Sequence, residues 1–298
     1  MIVNATDLVE QLQAYYDHGL PAGDKTGWAS VDRHYTVLPG QVTIVTGIPS
    51  HGKSEWLDAL MVNLTPQWQF VVFSPENFPH ELHISKILEK WHRKPFGPGP
   101  VERIQPDELV NGVGYMDHCF GFFKPAPDLQ VPNIVNILNE AGAWFEGRES
   151  SQKRGVVIDP WNELDHMRPQ GLSETEYISQ TLSSVRQWAR EFNVHVWIVA
   201  HPMKLQKDRD GGYPVPTPYD ISGSAHWRNK ADNCVAIWRD VTADTQIVQL
   251  HVQKVRFKHL GHAGVVELRY DRVCGTYAEM NLTVVGGGDY RRAKSGDE

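Results

Sequence analysis

No stretch constrains this chain more than Gln41-Val42-Thr43-Ile44-Val45-Thr46-Gly47-Ile48-Pro49-Ser50-His51-Gly52-Lys53-Ser54. A β-branched run ends in Gly47, and Gly47 to Ser54 fit G-x-x-x-x-G-K-[ST], a loop whose backbone N–H groups cradle phosphates. The flanks are those such a loop requires. A strand leads in, and an amphipathic helix over Lys53 to Leu64 leads out, apolar at Trp56, Leu57, Leu60, Met61 and Leu64. That helix would aim its positive N-terminal dipole at the anion. Lys53 is expected to reach the β- and γ-phosphates and the Ser54 hydroxyl to ligate Mg²⁺. Gly47, Ile48, Pro49, Ser50, His51, Gly52, Lys53 and Ser54 are therefore the expected nucleotide contacts.

A chain of 298 residues, 41% of them hydrophobic, can bury the core of one large α/β domain. There is no apolar run long enough to span a bilayer and no charged-then-apolar N-terminal signal, so the expectation is a soluble, unexported protein. Cys119, Cys234 and Cys274 are scattered and odd in number, which suggests a reducing compartment and neither a disulfide framework nor a zinc site. The net charge of -7 argues against a protein that coats nucleic acid with its whole surface. Charge is uneven, however: His201 to His259 hold nine Lys or Arg against six Asp or Glu, so an anionic partner would meet this later segment.

Taken in order, residues 4 to 18 read as a short amphipathic helix with Leu8, Leu12, Tyr15 and Tyr16 on one face, Asn4 or Thr6 as cap and Gly19 as stop. Strands are expected at 42 to 46, 69 to 74, 155 to 159 and 194 to 200; their apolar runs are continuous, as in parallel strands covered on both faces. Helices are expected to about Arg93, over Val131 to Phe145, and after the capping box Ser173-Glu174-Thr175-Glu176, where Ile178, Leu182, Val185, Ala189 and Phe192 share a face. Residues 95 to 128 resist placement. Cys234 to Trp238, Ile247 to Lys254, Val265 to Tyr270 and Tyr277 to Val285 read as antiparallel strands joined by hairpins. The expected division is a separate helix over 1–20, one domain over 21–285 and a disordered tail over 286–298.

Each of the four core strands ends in a polar group: the phosphate loop, Glu76, Asp159 and His201. In open α/β sheets ligands bind outside the carboxyl ends of the strands, so these groups are expected to converge on one phosphate tail. Asp159 after Val-Val-Ile has the form of a Walker-B acid holding Mg²⁺. Glu76 is a candidate base to orient an attacking water, and equally a turn residue. His201 lies where a γ-phosphate sensor would sit. His80 and His83 miss the H-E-x-x-H spacing of a metal pair and are expected on a helix surface; Trp227 is either core or a stacking platform.

Six segments in this order resemble the ring-shaped replicative helicases of the DnaB-like and Twinkle-like group, the helicase half of phage primase-helicases included. They are Gly47 to Ser54, Ser74-Pro75-Glu76, Val157-Ile158-Asp159, Ile198 to Pro202, Ile221 to Ala225 with Ala231-Asp232-Asn233, and Lys254-Val255-Arg256-Phe257. The resemblance implies a RecA-like P-loop NTPase core with a mostly parallel central sheet flanked by helices and antiparallel strands toward the C-terminus. It implies ATP and Mg²⁺ at sites between subunits of a hexameric or heptameric ring around single-stranded DNA, movement 5′ to 3′, and a primase on the same or a separate chain. By position it makes Lys53 and Ser54 the phosphate and Mg²⁺ ligands, Glu76 the base, Asp159 the Walker-B acid and His201 the sensor. Arg256 resembles an arginine finger for the neighbouring site, with Lys254 beside it. Residues 165–172 with Arg168, and 203–220 with Lys204, Lys207 and Arg209, fall where the DNA-binding loops lie, and the helix at 4–18 resembles a linker helix. A cytoplasmic protein of a bacterium or phage is expected. A RecA-like ATPase that recruits a partner by nucleotide switching, or a recombinase-type filament, is the alternative.

Overall fold

The computed structural model describes residues 2–125, 131–148, 151–207, 212–223, 225–241, 243 and 245–280; Arg209 and the expected tail lie outside them. At the N-terminus a 3₁₀ turn, Ala5–Leu8, feeds α1 (Val9–His18), which stops at Gly19 (φ +87°). No residue of α1 is buried, and Leu8, Leu12, Tyr15 and Tyr16 are all exposed. α2 (Ala29–Asp32) precedes the core.

The core then runs β1 (Val42–Thr46), α3 (Lys53–Leu64), β2 (Trp68–Phe73), α4 (His80–His92), α5 (Pro106–Cys119), β3 (Phe120–Phe122), α6 (Ile134–Glu146), β4 (Lys153–Ile158), α7 (Glu174–Glu191) and β5 (Val194–Val199). It closes with α8 (His226–Lys230), β6 (Asn233–Trp238), β7 (Ile247–Val255), β8 (Gly264–Tyr270) and β9 (Tyr277–Glu279). The sheet order is β3-β2-β4-β5-β1-β6-β7-β8-β9, parallel from β3 through β6 and antiparallel from β6 through β9. Placing β1 between β5 and β6 sets the phosphate loop in mid-sheet, where crossovers leave to both sides.

Continuous apolar strands are explained by two cores. Along β5, Val194, Val196 and Ile198 pack toward α6 and α7, while Trp197 and Val199 pack with Trp56, Trp68 and Ile87 on the face of α3 and α4. Burying one such side chain contributes about 1.5–3 kcal/mol, so the helices that flank the sheet are held by the strand residues beneath them. Ser173 caps α7 as expected, its hydroxyl accepting from the Glu176 N–H at 3.3 Å. Among the described residues no helix is long and apolar enough to cross a membrane.

Two expectations change, for β6 and His83, and two open readings, residues 95 to 128 and Trp227, are resolved. β6 is parallel to β1 as well as antiparallel to β7, and its fully buried inner residues are those of a core strand. Residues 95 to 128 contain α5 and β3; α5 escaped because Gly112 and Gly114 blur its period. A Cβ at Gly112 would stand 2.7 Å from the side-chain ends of both Leu88 and His92 of α4, which would have to shift to admit it. His83 is buried, not on the helix surface, and shares a 2.9 Å hydrogen bond with Asp58 of α3. Trp227 is core: its Nε1 donates to the Ser222 carbonyl and its ring meets Trp161 edge-on.

Candidate functional site

The site is assembled at the carboxyl ends of the parallel strands. Gly47 leaves β1 at φ +153°, and any Cβ there would collide with the Ile237 carbonyl of β6. Gly52 (φ +99°) caps α3 in a left-handed conformation. Those two glycines let the loop turn tightly and bring its N–H groups inward. Lys53 opens α3, largely buried, and its ammonium donates to the carbonyls of Gly47 (3.0 Å) and Ile48 (3.2 Å).

One cavity of about 400 Å³ is lined by Pro49 to Ser54 together with Glu76, Asp159 and His201. Three crossovers thus deliver their strand-end residues to the phosphate loop. Asp159 is 4% exposed and sits at the end of β4. Burial raises its pKa to about 6, helped by the like charges of Asp58 and Glu76 and opposed by the Ser54 hydroxyl, which donates to it, and by Lys53. A buried carboxylate joined to a serine hydroxyl, both hard oxygen donors with a surplus of negative charge around them, fits Mg²⁺. Burial also lowers the pKa of Lys53, against the pull of Asp159 and Glu76.

The two histidines are neutral near pH 7. Burial, then Lys53 and Arg239, bring His51 down to about 4, and its Nδ1 accepts from the Arg239 N–H at 3.1 Å. Burial and then Lys53 lower His201, whose backbone N–H donates to Asn162 Oδ1 at 3.4 Å. A neutral imidazole can donate to a phosphate oxygen without adding charge. Past His201 the chain is pinned: Pro202 bridges Ile221, and the Met203 N–H donates to the Asp220 carbonyl at 2.7 Å. The chain after His201 therefore leaves and returns beside that histidine, at Met203 and Asp220.

Sequence reasoning missed the far wall of this cavity. Arg239, Tyr270, Tyr277, Lys86 and Asn77 line it too. Arg239 follows β6 as His201 follows β5, so the strand-end rule would have found it had β6 been placed among the parallel strands. Arg239 also donates from Nη2 to the Ser50 carbonyl at 3.1 Å, tying β6 to the loop.

Other expected residues stand elsewhere. Lys254 and Arg256 are at the end of antiparallel β7, beside the start of β6 and hence at the edge of the sheet opposite the phosphate loop. Lys254 donates to the carbonyls of Arg228 and Ala231, and Arg256 Nε lies 2.7 Å from Asp232. Arg168, Lys204 and Lys207 are exposed on the loops that follow β4 and β5 and do not line the cavity.

No family model matches the chain. It is 40% identical over 288 residues to a Twinkle homologue, chloroplastic/mitochondrial, of Arabidopsis thaliana, across 93% of this chain and 40% of that protein. The chain thus spans about two fifths of that relative's length. Among solved structures, the ATPase domain of G40P superposes with a TM-score of 0.74 at 19% identity, covering 93% of this chain and 100% of that one. A DnaB-like replicative helicase, described with its interactions with primase, superposes at 0.71 and 19% identity over 94% and 69%. The RadB recombinase does so at 0.55 and 13% identity over 86% and 99%. The structural likenesses bear on fold alone and the sequence likeness on kinship: this chain has the RecA-like fold of these ATPase domains and is related over nearly its whole length to a Twinkle homologue.

Proposed function

We propose that this chain is the motor of an ATP-driven DNA helicase of replication, working as a homo-oligomeric ring, hexamer or heptamer, that moves 5′ to 3′ on single-stranded DNA. The observation that carries the reading is the meeting of Lys53, Glu76, Asp159 and His201 in one cavity at the phosphate loop while Arg256 stands at the opposite edge of the same sheet. A phosphate site whose own arginine, Arg239, is turned to the Ser50 carbonyl of the loop, and a second arginine at the opposite edge, suit copies arranged head to tail, which close into rings.

In this reading the loop N–H groups and Lys53 hold the β- and γ-phosphates. Ser54 and Asp159 would hold Mg²⁺, which when bound neutralises charge on the phosphate oxygens. Glu76, exposed at the rim, accepts the proton of an attacking water and orients it. His201 donates to the γ-phosphate, and its loss is felt by the 203–220 loop pinned beside it. Arg239 and Tyr270, a cation and a ring on the far wall, suit the faces of a nucleobase. Arg168, Lys204 and Lys207, with Arg209, offer charge to a DNA backbone. The exposed apolar face of α1 suits docking on the next copy, so residues 1–20 act as a linker and 21–285 as the ATPase domain. A primase, on this or another chain, is the expected partner. The free, buried cysteines fit a reducing interior, and we place the protein in the cytoplasm of a bacterium or a phage-infected cell.

ATP turnover measured against protein concentration, with and without single-stranded DNA, tests the reading. Specific activity should climb with concentration and rise further with DNA. A flat rate indifferent to DNA would instead favour an ATPase that switches a partner by nucleotide state.

A further inference from the structure

Ala231-Asp232-Asn233 takes part in the motif resemblance without a role. Asp232 immediately precedes β6 with its side chain 1% exposed, and a carboxylate so buried is costly unless each oxygen is engaged. Its Oδ2 accepts from the N–H of Val42, the first residue of the strand that carries the phosphate loop, at 3.0 Å. Its Oδ1 accepts no hydrogen bond and is engaged by charge alone: Arg256 Nε lies 2.7 Å from it as an ion pair, and Arg190 Nη2 stands further off, at 3.8 Å. The grip on Arg256 is by Nε. Its side chain is 29% exposed, and among the described residues no hydrogen bond or ion pair engages Nη1 or Nη2. Those two groups form the fork that binds phosphate oxygens in pairs. The surroundings favour an anion as well: Arg186 and Arg190 crowd Arg256 around this single carboxylate, and burial followed by their mutual repulsion lowers the pKa of Arg186.

We propose that Asp232 is a positioning residue, holding Arg256 by Nε so that Nη1 and Nη2 are presented to the phosphates of a nucleotide bound by a neighbouring copy. The inference rests on the ring reading above and deepens it. The hydrogen bond to Val42 ties that presentation to the strand bearing the chain's own phosphate loop, so the arginine given to one neighbour is registered to the nucleotide site that faces the other.

The test uses the full chain and compares Asp232→Asn, Arg256→Ala and the double variant. An amide has one acceptor oxygen where the carboxylate uses two, so D232N keeps Val42 or Arg256 but not both. D232N should bind ATP as wild type does, with unchanged circular dichroism, and lose on the order of 10²-fold in kcat, the cost of a misplaced group. Adding D232N to R256A should slow it no further. Mixing D232N with Lys53→Ala should restore turnover, because the K53A copy lends a well-held arginine to the competent loop of its neighbour. Normal turnover in R256A would sink the finger reading itself. A slow R256A beside a normal D232N would overturn only the positioning role, as would a double variant slower than R256A or a mixture with no recovery. Should D232N fail to fold, Asp232→Glu keeps both acceptors and shifts the grip by one methylene. A folded D232E with wild-type kcat would equally overturn the role.

Discussion

Under the proposed function Asp159 sets stability against activity, and Asp159→Asn measures by how much. An unfolded aspartate titrates near 3.8, while burial holds the folded Asp159 near 6. Between those values the folded chain binds more protons than the unfolded one, so the contribution of this group to stability falls as pH rises from 3.8 to 6 and stays low above it. At about 1.36 kcal/mol per tenfold difference, keeping Asp159 ionised in the nucleotide-free fold costs about 3 kcal/mol at pH 7. Asparagine keeps the shape and an acceptor for Ser54 without the charge. D159N should therefore be more stable than wild type at pH 7 by about 2–3 kcal/mol, a rise of roughly 3–5 °C in Tm for a chain of this length. The gain should be about half as large at pH 5 and absent below about pH 4. Urea denaturation at pH 7.5, 5 and 4 gives the three values. Adding ATP with Mg²⁺ should reverse the order, since only the carboxylate gains from the cation. A variant no more stable than wild type at pH 7, or a gain that does not change with pH, would refute the assignment of strain to this buried charge.

Glu76→Gln should retain ATP affinity and lose about 10²–10⁴-fold in kcat, the usual worth of a general base; turnover within a few-fold of wild type would remove Glu76 from the chemistry. Lys204→Ala should weaken binding to single-stranded DNA of every sequence and reduce the salt slope by about 0.7 per lost phosphate contact, which titrations at several salt concentrations read directly. Leu12→Asp changes an exposed position on a helix with no buried residue; Tm should stay within about 1 °C while sedimentation shows a smaller assembly, and an intact ring would mean α1 does not bridge copies.

Much of the site was legible before any coordinates. β1, α3 and the capped start of α7 are local features: a β-branched run, a G-K-S turn and a Ser-Glu capping box each carry their structure in adjacent residues. The strand-end rule then placed Glu76, Asp159 and His201 on one cavity because parallel strands with crossovers share an edge. What stayed hidden depends on partners distant in sequence. α5 is helical although two glycines interrupt its pattern, because Gly112 allows α4 to approach. His83 read as surface on its own helix, and Asp58 buries it. Arg239 was invisible as a site residue while β6 was counted with the antiparallel strands.

The sequence by itself thus determined which residues could meet on a phosphate tail, because that pattern is written in a contiguous loop and in the last residue of each core strand. Only the tertiary structure decided what faces what: that Arg239 and Tyr270 line the cavity, that Asp159 is buried enough to resist ionisation, and that Asp232 pairs with Arg256 at the far edge of the sheet. The reason is physical. A loop's backbone geometry is set by its neighbours in the chain, but burial, pKa and the direction of a side chain are set by whatever the sheet order brings alongside, and β6, which joins β1 on one side and β7 on the other, is paired only in three dimensions.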